Sequence, residues 1–432
     1  MKRTRVGAQF AVDKQVLKLR LSTLRLRVVL VLIGLGFTVL GARAMQLQMF
    51  KTDDLQEFGE RSYTQSIHLP ASRGKILDRN GLVLASSLPA RAIYVDPRRF
   101  AEASPQQVVA LAKALDMTPD QVRQRVEKGG RQFAYLKRQA DVAEAQVVQE
   151  LKVPGVETLK EYKRHYPEGR ISAHVVGFTD YDDRGKEGIE LASEDRLHGV
   201  DGSRRVMRDR LGRVIGDIQT VRDPVDGQDE WLSLDSHLQY LTFNALQEAV
   251  KEYGAKAGSA VVLDVNSGEI LAVANWPTYD PNDRSKVRFS DMRNRTVTDS
   301  FEPGSTMKPF TAALALELRK VTPNTIIETA PGRLKIGPDT IGDSHFLGTL
   351  TVEQVVQKSS NVGTAKIALE MEARQMWEFL SAVGFGHTPE IVFPGAVAGR
   401  LRPTASGARS SRQRSPMATA SRYRCCNWPR PT

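Results

Sequence analysis

The sequence predicts an α+β multidomain protein with a single N-terminal membrane-spanning helix. Three observations carry that prediction. Residues 28–42, VVLVLIGLGFTVLGA, run fifteen residues without a charge behind a basic leader. Residues 66–230 mix short strand-like runs with three helical patterns. Near residue 230 an amphipathic helix appears, followed by two apolar runs joined by Asn266-Ser267-Gly268, a β-hairpin signal. The 432 residues suit two to three domains at ~150 residues each. With 41% hydrophobic and 26% charged residues, the composition excludes collagen, coiled coil and wholesale disorder.

The leader, residues 1–27, sets Lys2, Arg3, Arg5, Lys14, Lys18, Arg20, Arg25 and Arg27 against Asp13, a net of +7. The anchor is placed at 28–47. A spanning helix needs ~20 residues, and Arg25, Arg27 and Arg43 can extend the span by snorkelling. Lys and Arg before it predict a cytoplasmic N-terminus. Ala42-Arg43-Ala44 has the small-x-small form of a signal-peptide cleavage site, but a 27-residue leader is long for a signal peptide. On either reading the residues beyond 50 lie outside the cytoplasm.

Residues 50–65 form a polar stalk. In the stretch that follows, Ser104 and Thr118 are good N-caps, each followed by Pro, for helices over 104–116 and 118–129. A third helix is predicted over 142–153. Two helices joined by a short turn can read DNA, but this pair lies beyond a membrane anchor and is not basic. Of the overall +11, the leader holds +7 and residues 400–432 hold +8, which leaves the body at −4. No nucleic-acid partner is expected. Both cysteines, Cys425 and Cys426, sit in the basic tail, and no pair of the seven histidines has a metal-ligand spacing such as H-x-x-x-H. Beyond Ser236–Tyr253, the predicted helix, the hairpin runs are Ala260–Val265 and Glu269–Ala274.

The chemistry is carried by FEPGSTMKPF, residues 301–310. Ser305 and Lys308 are three apart, so a helix puts them on one face. A serine hydroxyl needs a neighbouring base, and a lysine of depressed pKa can serve. The signal alone is weak, because S-x-x-K occurs twice, the other copy being Ser72–Lys75 in a turn-like segment. A second motif changes the weight: KSSNVGTAK holds Ser359-Ser360-Asn361, the one S-x-N of the chain, 54 residues after Ser305. Serine there can relay a proton, and an asparagine amide can hold a substrate carbonyl. A capped helix start with Asn361 facing solvent is the plainer alternative.

With these motifs the chain resembles the class B penicillin-binding proteins, and within them the septal D,D-transpeptidases of cell division. ASRGKILDRNGLVLASS (71–87), EYKRHYPEGRISAHVVGFTD (161–180) and GKEGIELASEDRLHGVDGSRRVMRDRLGRVI (185–215) are similar to blocks of that family's pedestal domain. GAKAGSAVVLDVNSGEILAVANWPTYDPND (254–283) is similar to the start of its transpeptidase domain. The resemblance spans roughly residues 20–400. It implies an elongated α+β pedestal of the dimerisation type at 65–225. It also implies a serine β-lactamase-like transpeptidase domain, an antiparallel sheet with helices, at 230–403.

The resemblance implies that Ser305 is the acylated nucleophile and Lys308 the general base, with Ser359 the proton relay, Asn361 a substrate-binding amide and the Ser305 N–H half of an oxyanion hole. It implies no cofactor and no metal. The substrates are peptidoglycan stem peptides, and β-lactams acylate the same serine. The implied partners are inner-membrane division proteins, including a septal glycosyltransferase, at the division septum of a bacterial inner membrane.

The family's third motif, K-[ST]-G, occurs nowhere in the 432 residues. The segment 404–432 has no acid, many Arg and Ser, and both cysteines. The chain is therefore expected to be truncated or frameshifted near residue 403, with a transpeptidase domain incomplete at its C-terminus and inactive. A non-catalytic membrane scaffold of the division machinery and an elongation-type transpeptidase are the alternatives.

Overall fold

The thirteen-residue strand Val83–Val95 organises the largest sheet among the described residues. The computed structural model describes residues 23–50, 64–130, 133–208, 214–285 and 287–402. The leader to residue 22, most of the polar stalk and the tail beyond 402 lie outside the described residues. The described chain divides into two units, the residues up to Ile67 with Ser203–Val221, and His68–Gly202 with the chain from Arg222 onward.

In the first unit, the helix Thr23–Phe50 extends past both ends of the predicted anchor. Its stretch Leu24–Gln46 is long and apolar enough to cross a membrane. The flanking arginines do not stop it, because Arg is a good helix former and its long stem tolerates an apolar setting. The unit also holds a three-stranded sheet in the order Thr64–Leu69, Gly202–Arg208, Val214–Arg222.

In the second unit, Val83–Val95 pairs antiparallel with Val156–His165 from Ser86 onward and with Ala134–Asp141 over its second half. Ile76–Leu77 pairs with its start, and Glu230–Trp231 adds to Ile76–Leu77 in parallel. The helices Pro105–Ala114 and Pro119–Lys128 carry the capping expected of Ser104 and Thr118, each closed reciprocally by Gln107 or Gln121. With the helix Val142–Glu150 they bury Leu111, Val122 and Val148 against Ile93 and Leu136 of the sheet. The third helix is shorter than predicted, because Lys152 turns left-handed at φ 47°.

The second S-x-x-K is structural. The Ser72 and Lys75 amides donate to Asp226 and Asp229, both at 2.7 Å. Between them, Arg73 is buried against Glu190, Nε to Oε2 at 2.6 Å, and Arg164 takes the other oxygen at 2.7 Å.

Within this second unit, His68–Gly202 and the chain from residue 230 share a common core of Ile76, Leu84, Val175, Phe178, Leu234, Val273 and Tyr279. The helix Ser236–Glu252 is capped by Asp235 and sends Gln239, 1% exposed, to the backbone of Ile171 and Val273. It packs on the antiparallel pair Gly258–Leu263 and Ile270–Trp276. The first strand ends two residues early, because the Asp264 carboxylate accepts the Asn266 and Ser267 amides and draws residues 264–268 into the turn. A third core, with Met307, Leu314, Leu350, Val355, Ile367 and Leu380, gathers the helices that carry the motifs.

Candidate active site

Pro303-Gly304 leads into a 3₁₀ turn, Gly304–Met307, and then the helix Lys308–Glu317. Gly304 lies at φ +57°, a left-handed conformation that an L side chain resists. The Thr306 hydroxyl donates to the Pro303 carbonyl at 2.6 Å and fixes the entry. Ser305 is thus exposed on the 3₁₀ turn rather than inside the helix. Its Oγ makes no hydrogen bond among the described residues, so the backbone alone sets its position.

Lys308, one turn on, is only 3% exposed. Its Nζ donates to the Ser359 carbonyl and lies 2.9 Å from Ser359 Oγ. Burial pulls the Lys308 pKa below the ordinary 10.5, while the nearby Asp343 charge works in the other direction. Loss of solvation favours the neutral amine, the form a general base requires. Ser359 sits at φ +53°. A non-glycine residue held there stores strain of order 1–3 kcal/mol, and such residues concentrate at functional sites.

Ser360 caps the helix Asn361–Leu369, its Oγ accepting from Gly363 N at 2.8 Å and donating to Asp343 Oδ2 at 2.8 Å. Asp343 Oδ1 also accepts the Asn361 amide and, at 3.0 Å, the Val362 amide. One carboxylate therefore satisfies two free N–H groups at a helix N-terminus, where negative charge is favoured. Asn361 does not point freely to solvent: its Nδ2 donates to the Gly342 carbonyl at 2.7 Å, which leaves the second Nδ2 hydrogen and Oδ1 to meet a ligand.

The structure thus brings Lys308 to Ser359 and places Ser305 and Asn361 on the elements that flank them. Asp343 was missed by sequence reasoning. It follows the short strand Asp339–Gly342, 18 residues from Asn361, and no periodicity links them. The available signal was an acid in the turn-like Gly342-Asp343-Ser344. Among the described residues, no cluster of His, Cys, Asp and Glu could hold a metal ion.

The family model for the penicillin binding protein transpeptidase domain matches residues 258–420, and that for the penicillin-binding protein dimerisation domain matches residues 68–232. The chain is 42% identical over 396 residues to the probable peptidoglycan D,D-transpeptidase PenA of Neisseria meningitidis, covering 90% of this chain and 67% of that protein. It is 39% identical over 374 residues to the peptidoglycan D,D-transpeptidase FtsI of Escherichia coli, covering 85% and 63%. The chain therefore spans about two thirds of the length of these relatives. A crystal structure of a peptidoglycan synthetase from Bifidobacterium adolescentis aligns with a TM-score of 0.61 at 26% identity, covering 83% of this chain and 70% of that one. The penicillin-binding protein PBP2 of Helicobacter pylori, solved in complex with MreC, is alike in fold with a TM-score of 0.66 at 21% identity, covering 84% and 74%.

Proposed function

The chain belongs to the penicillin-binding protein family of peptidoglycan D,D-transpeptidases, and on that premise we propose that Ser305, Lys308, Ser359 and Asn361 form its acylation site. The single observation that carries the reading is the buried Lys308 amine, 2.9 Å from Ser359 Oγ and one turn after an exposed Ser305. Neutral Lys308 takes the Ser305 proton as Oγ attacks the carbonyl of a terminal D-Ala-D-Ala bond. Ser359 passes that proton to the leaving amine. The second Nδ2 hydrogen of Asn361 donates to a carbonyl of the stem peptide, and the Ser305 N–H faces the developing oxyanion. An amine of a second stem then attacks the ester carbonyl, the bond to Ser305 Oγ breaks and the serine oxygen takes up a proton given by the amine, leaving an amide cross-link. β-Lactams enter the same path and stop at the ester.

Residues 65–225 act as a pedestal and 230–403 as the transpeptidase domain, a division that the two family matches support. The basic leader and the apolar helix favour an anchor with its N-terminus cytoplasmic and its body periplasmic. The likeness to FtsI favours work at the division septum, with inner-membrane division proteins and a septal glycosyltransferase as partners.

A fluorescent penicillin tests the site. Because no K-[ST]-G triplet occurs in the 432 residues, the assay uses both the chain and a chimera in which the C-terminal third of the meningococcal relative follows residue 402. In the chimera, labelling is expected to vanish with Ser305→Ala and to persist with Ser72→Ala, and the 432-residue chain is expected to stay unlabelled. Persistence in Ser305→Ala overturns the assignment. For topology, an alkaline phosphatase fusion after residue 60 should be active, and an inactive fusion contradicts the orientation.

A further inference from the structure

Ser305 has no side-chain partner among the described residues, so its position depends on what holds the chain before it. That chain is held from residues 166–176. His174 is 6% exposed, and its Nε2 lies 2.9 Å from the Asp291 carbonyl oxygen. A carbonyl only accepts, so the ring nitrogen carries the hydrogen. The His174 carbonyl in turn accepts from Asn294 Nδ2 at 3.3 Å. Asn294 Oδ1 takes Asn275 Nδ2 at 3.0 Å and the Thr296 hydroxyl, and Asn275 Oδ1 takes the Thr296 amide at 3.2 Å.

Past Asn294 the chain is braced on itself. Arg293 and Arg295 both pair with Asp299, at 2.7 and 3.0 Å, and Arg293 Nε donates to Thr298 Oγ1 at 2.8 Å. Only residues 300–304 separate this brace from Ser305. At its other end the supporting segment is fixed as firmly. Asn282 bonds both Tyr166 N and O, Thr278 Oγ1 donates to Arg170 O at 3.0 Å, and the Tyr279 hydroxyl donates to Ala173 O at 3.0 Å.

We propose that His174 and Asn294 are positioning residues for the nucleophile: through them, the segment 166–176 sets the braced stretch 291–299 and so the place of the Ser305 turn. The proposal rests on the reading of Ser305 as nucleophile. Its chemical sense is that a serine placed by backbone alone needs that backbone fixed to a fraction of an ångström. A misplacement of about 1 Å far from the chemistry can cost ~10²-fold in rate. The pairing of His174 with a main-chain carbonyl suits that task. The bond holds the main chain at residue 291 whatever side chains lie around it.

The test compares the unsubstituted chain with His174→Ala, His174→Gln and Asn294→Asp by hydrogen exchange. The glutamine amide can donate to the same carbonyl, and the aspartate keeps the acceptor for Asn275 and Thr296 while losing the donor to His174. Amides of 293–306 are expected to exchange about tenfold faster or more in His174→Ala and Asn294→Asp, with 84–95 and 156–165 unchanged and protection restored in His174→Gln. Unchanged protection of 293–306, or a rise spread evenly over the whole unit, overturns the proposal. In penicillin acylation, measured with the same substitutions in the chimera joined after residue 402, the two loosened variants are expected to slow the bond-forming step about tenfold or more with binding unchanged, and His174→Gln to recover it. An equal bond-forming rate in all four overturns the proposal too. Absence of labelling in the chimera that keeps Ser305, His174 and Asn294 counts against Ser305 as nucleophile, and the exchange comparison then decides the present proposal by itself.

Discussion

Lys308 Nζ lies 2.9 Å from Ser359 Oγ, with Lys308 almost wholly out of solvent and Ser359 held at a left-handed φ of 53°. The two residues are 51 apart in sequence: Lys308 opens the helix Lys308–Glu317, and Ser359 lies in the turn before the helix Asn361–Leu369. Their contact is what turns two short motifs into one site, because it sets a second proton carrier beside a lysine whose burial favours the neutral amine.

Lys308→Ala should lower the acylation rate by ~10²–10⁴, the usual contribution of a positioned general base. Burial moves the Lys308 pKa below 10.5, so the acylation rate should rise with pH as the amine loses its proton and level off below that value. Rapid-mixing labelling across pH checks this. A rising limb at or above the ordinary lysine range, or no pH dependence at all, contradicts the role.

Asp343→Ala removes the acceptor for the Ser360 hydroxyl and the Asn361 and Val362 amides. The helix start at 361 loses its anionic cap, with an expected loss of about 1–2 kcal/mol. The turn that holds Ser359 should loosen with it, so acylation should fall as well. Urea denaturation and labelling rates measure both. If neither changes, Asp343 does not order the S-x-N block.

How much of this was legible in the sequence depended on the range of the interaction. Local chemistry was readable: Ser104 and Thr118 cap their helices, and Asn266-Ser267-Gly268 turns the hairpin. The ends of those elements were less so, because Asp264 and Lys152 take turn conformations that apolar patterning does not reveal. Ser305 and Lys308 could be paired from their spacing, yet the spacing could not show that Lys308 turns toward Ser359. Asp343 shows in the sequence only as an acid in a turn, with nothing to tie it to Asn361. Its role comes from the fold, which brings a hairpin end against a helix N-terminus.

Glu190→Ala should be among the most damaging changes outside the site. Glu190 is fully buried and neutralises both Arg73 and Arg164. Removing one partner of a buried ionic cluster costs ~3–5 kcal/mol, because the remaining charges lose their compensation. Chemical denaturation of Glu190→Ala measures it, and a loss under ~1 kcal/mol would mean that water or Glu194 compensates both arginines.

Acid should weaken the protein through His174. Burial lowers its pKa from 6.5 to about 4, with Asp291, Arg295 and the Tyr279 ring as its neighbours. A folded-state pKa below the unfolded one favours the neutral ring, so the stabilisation is complete above pH 6.5 and is lost as the pH falls toward 4. At 1.36 kcal/mol per unit, the loss is on the order of 3 kcal/mol. Urea midpoints between pH 7 and 4 should fall more steeply for the unsubstituted protein than for His174→Gln. Parallel curves would show that His174 does not carry the acid sensitivity.

The central claim is that Ser305 is the residue acylated, and peptide mapping of a β-lactam adduct tests it most directly. Trypsin leaves Ser305 in the peptide 296–319, since Lys308 precedes a proline, and Ser359 and Ser72 fall in other peptides. The account predicts the adduct mass on 296–319, localised to Ser305 by fragmentation, in the chimera that carries the relative's C-terminal third. An adduct on the peptide holding Ser359 or Ser72, or one retained in full when Ser305 is alanine, would contradict it.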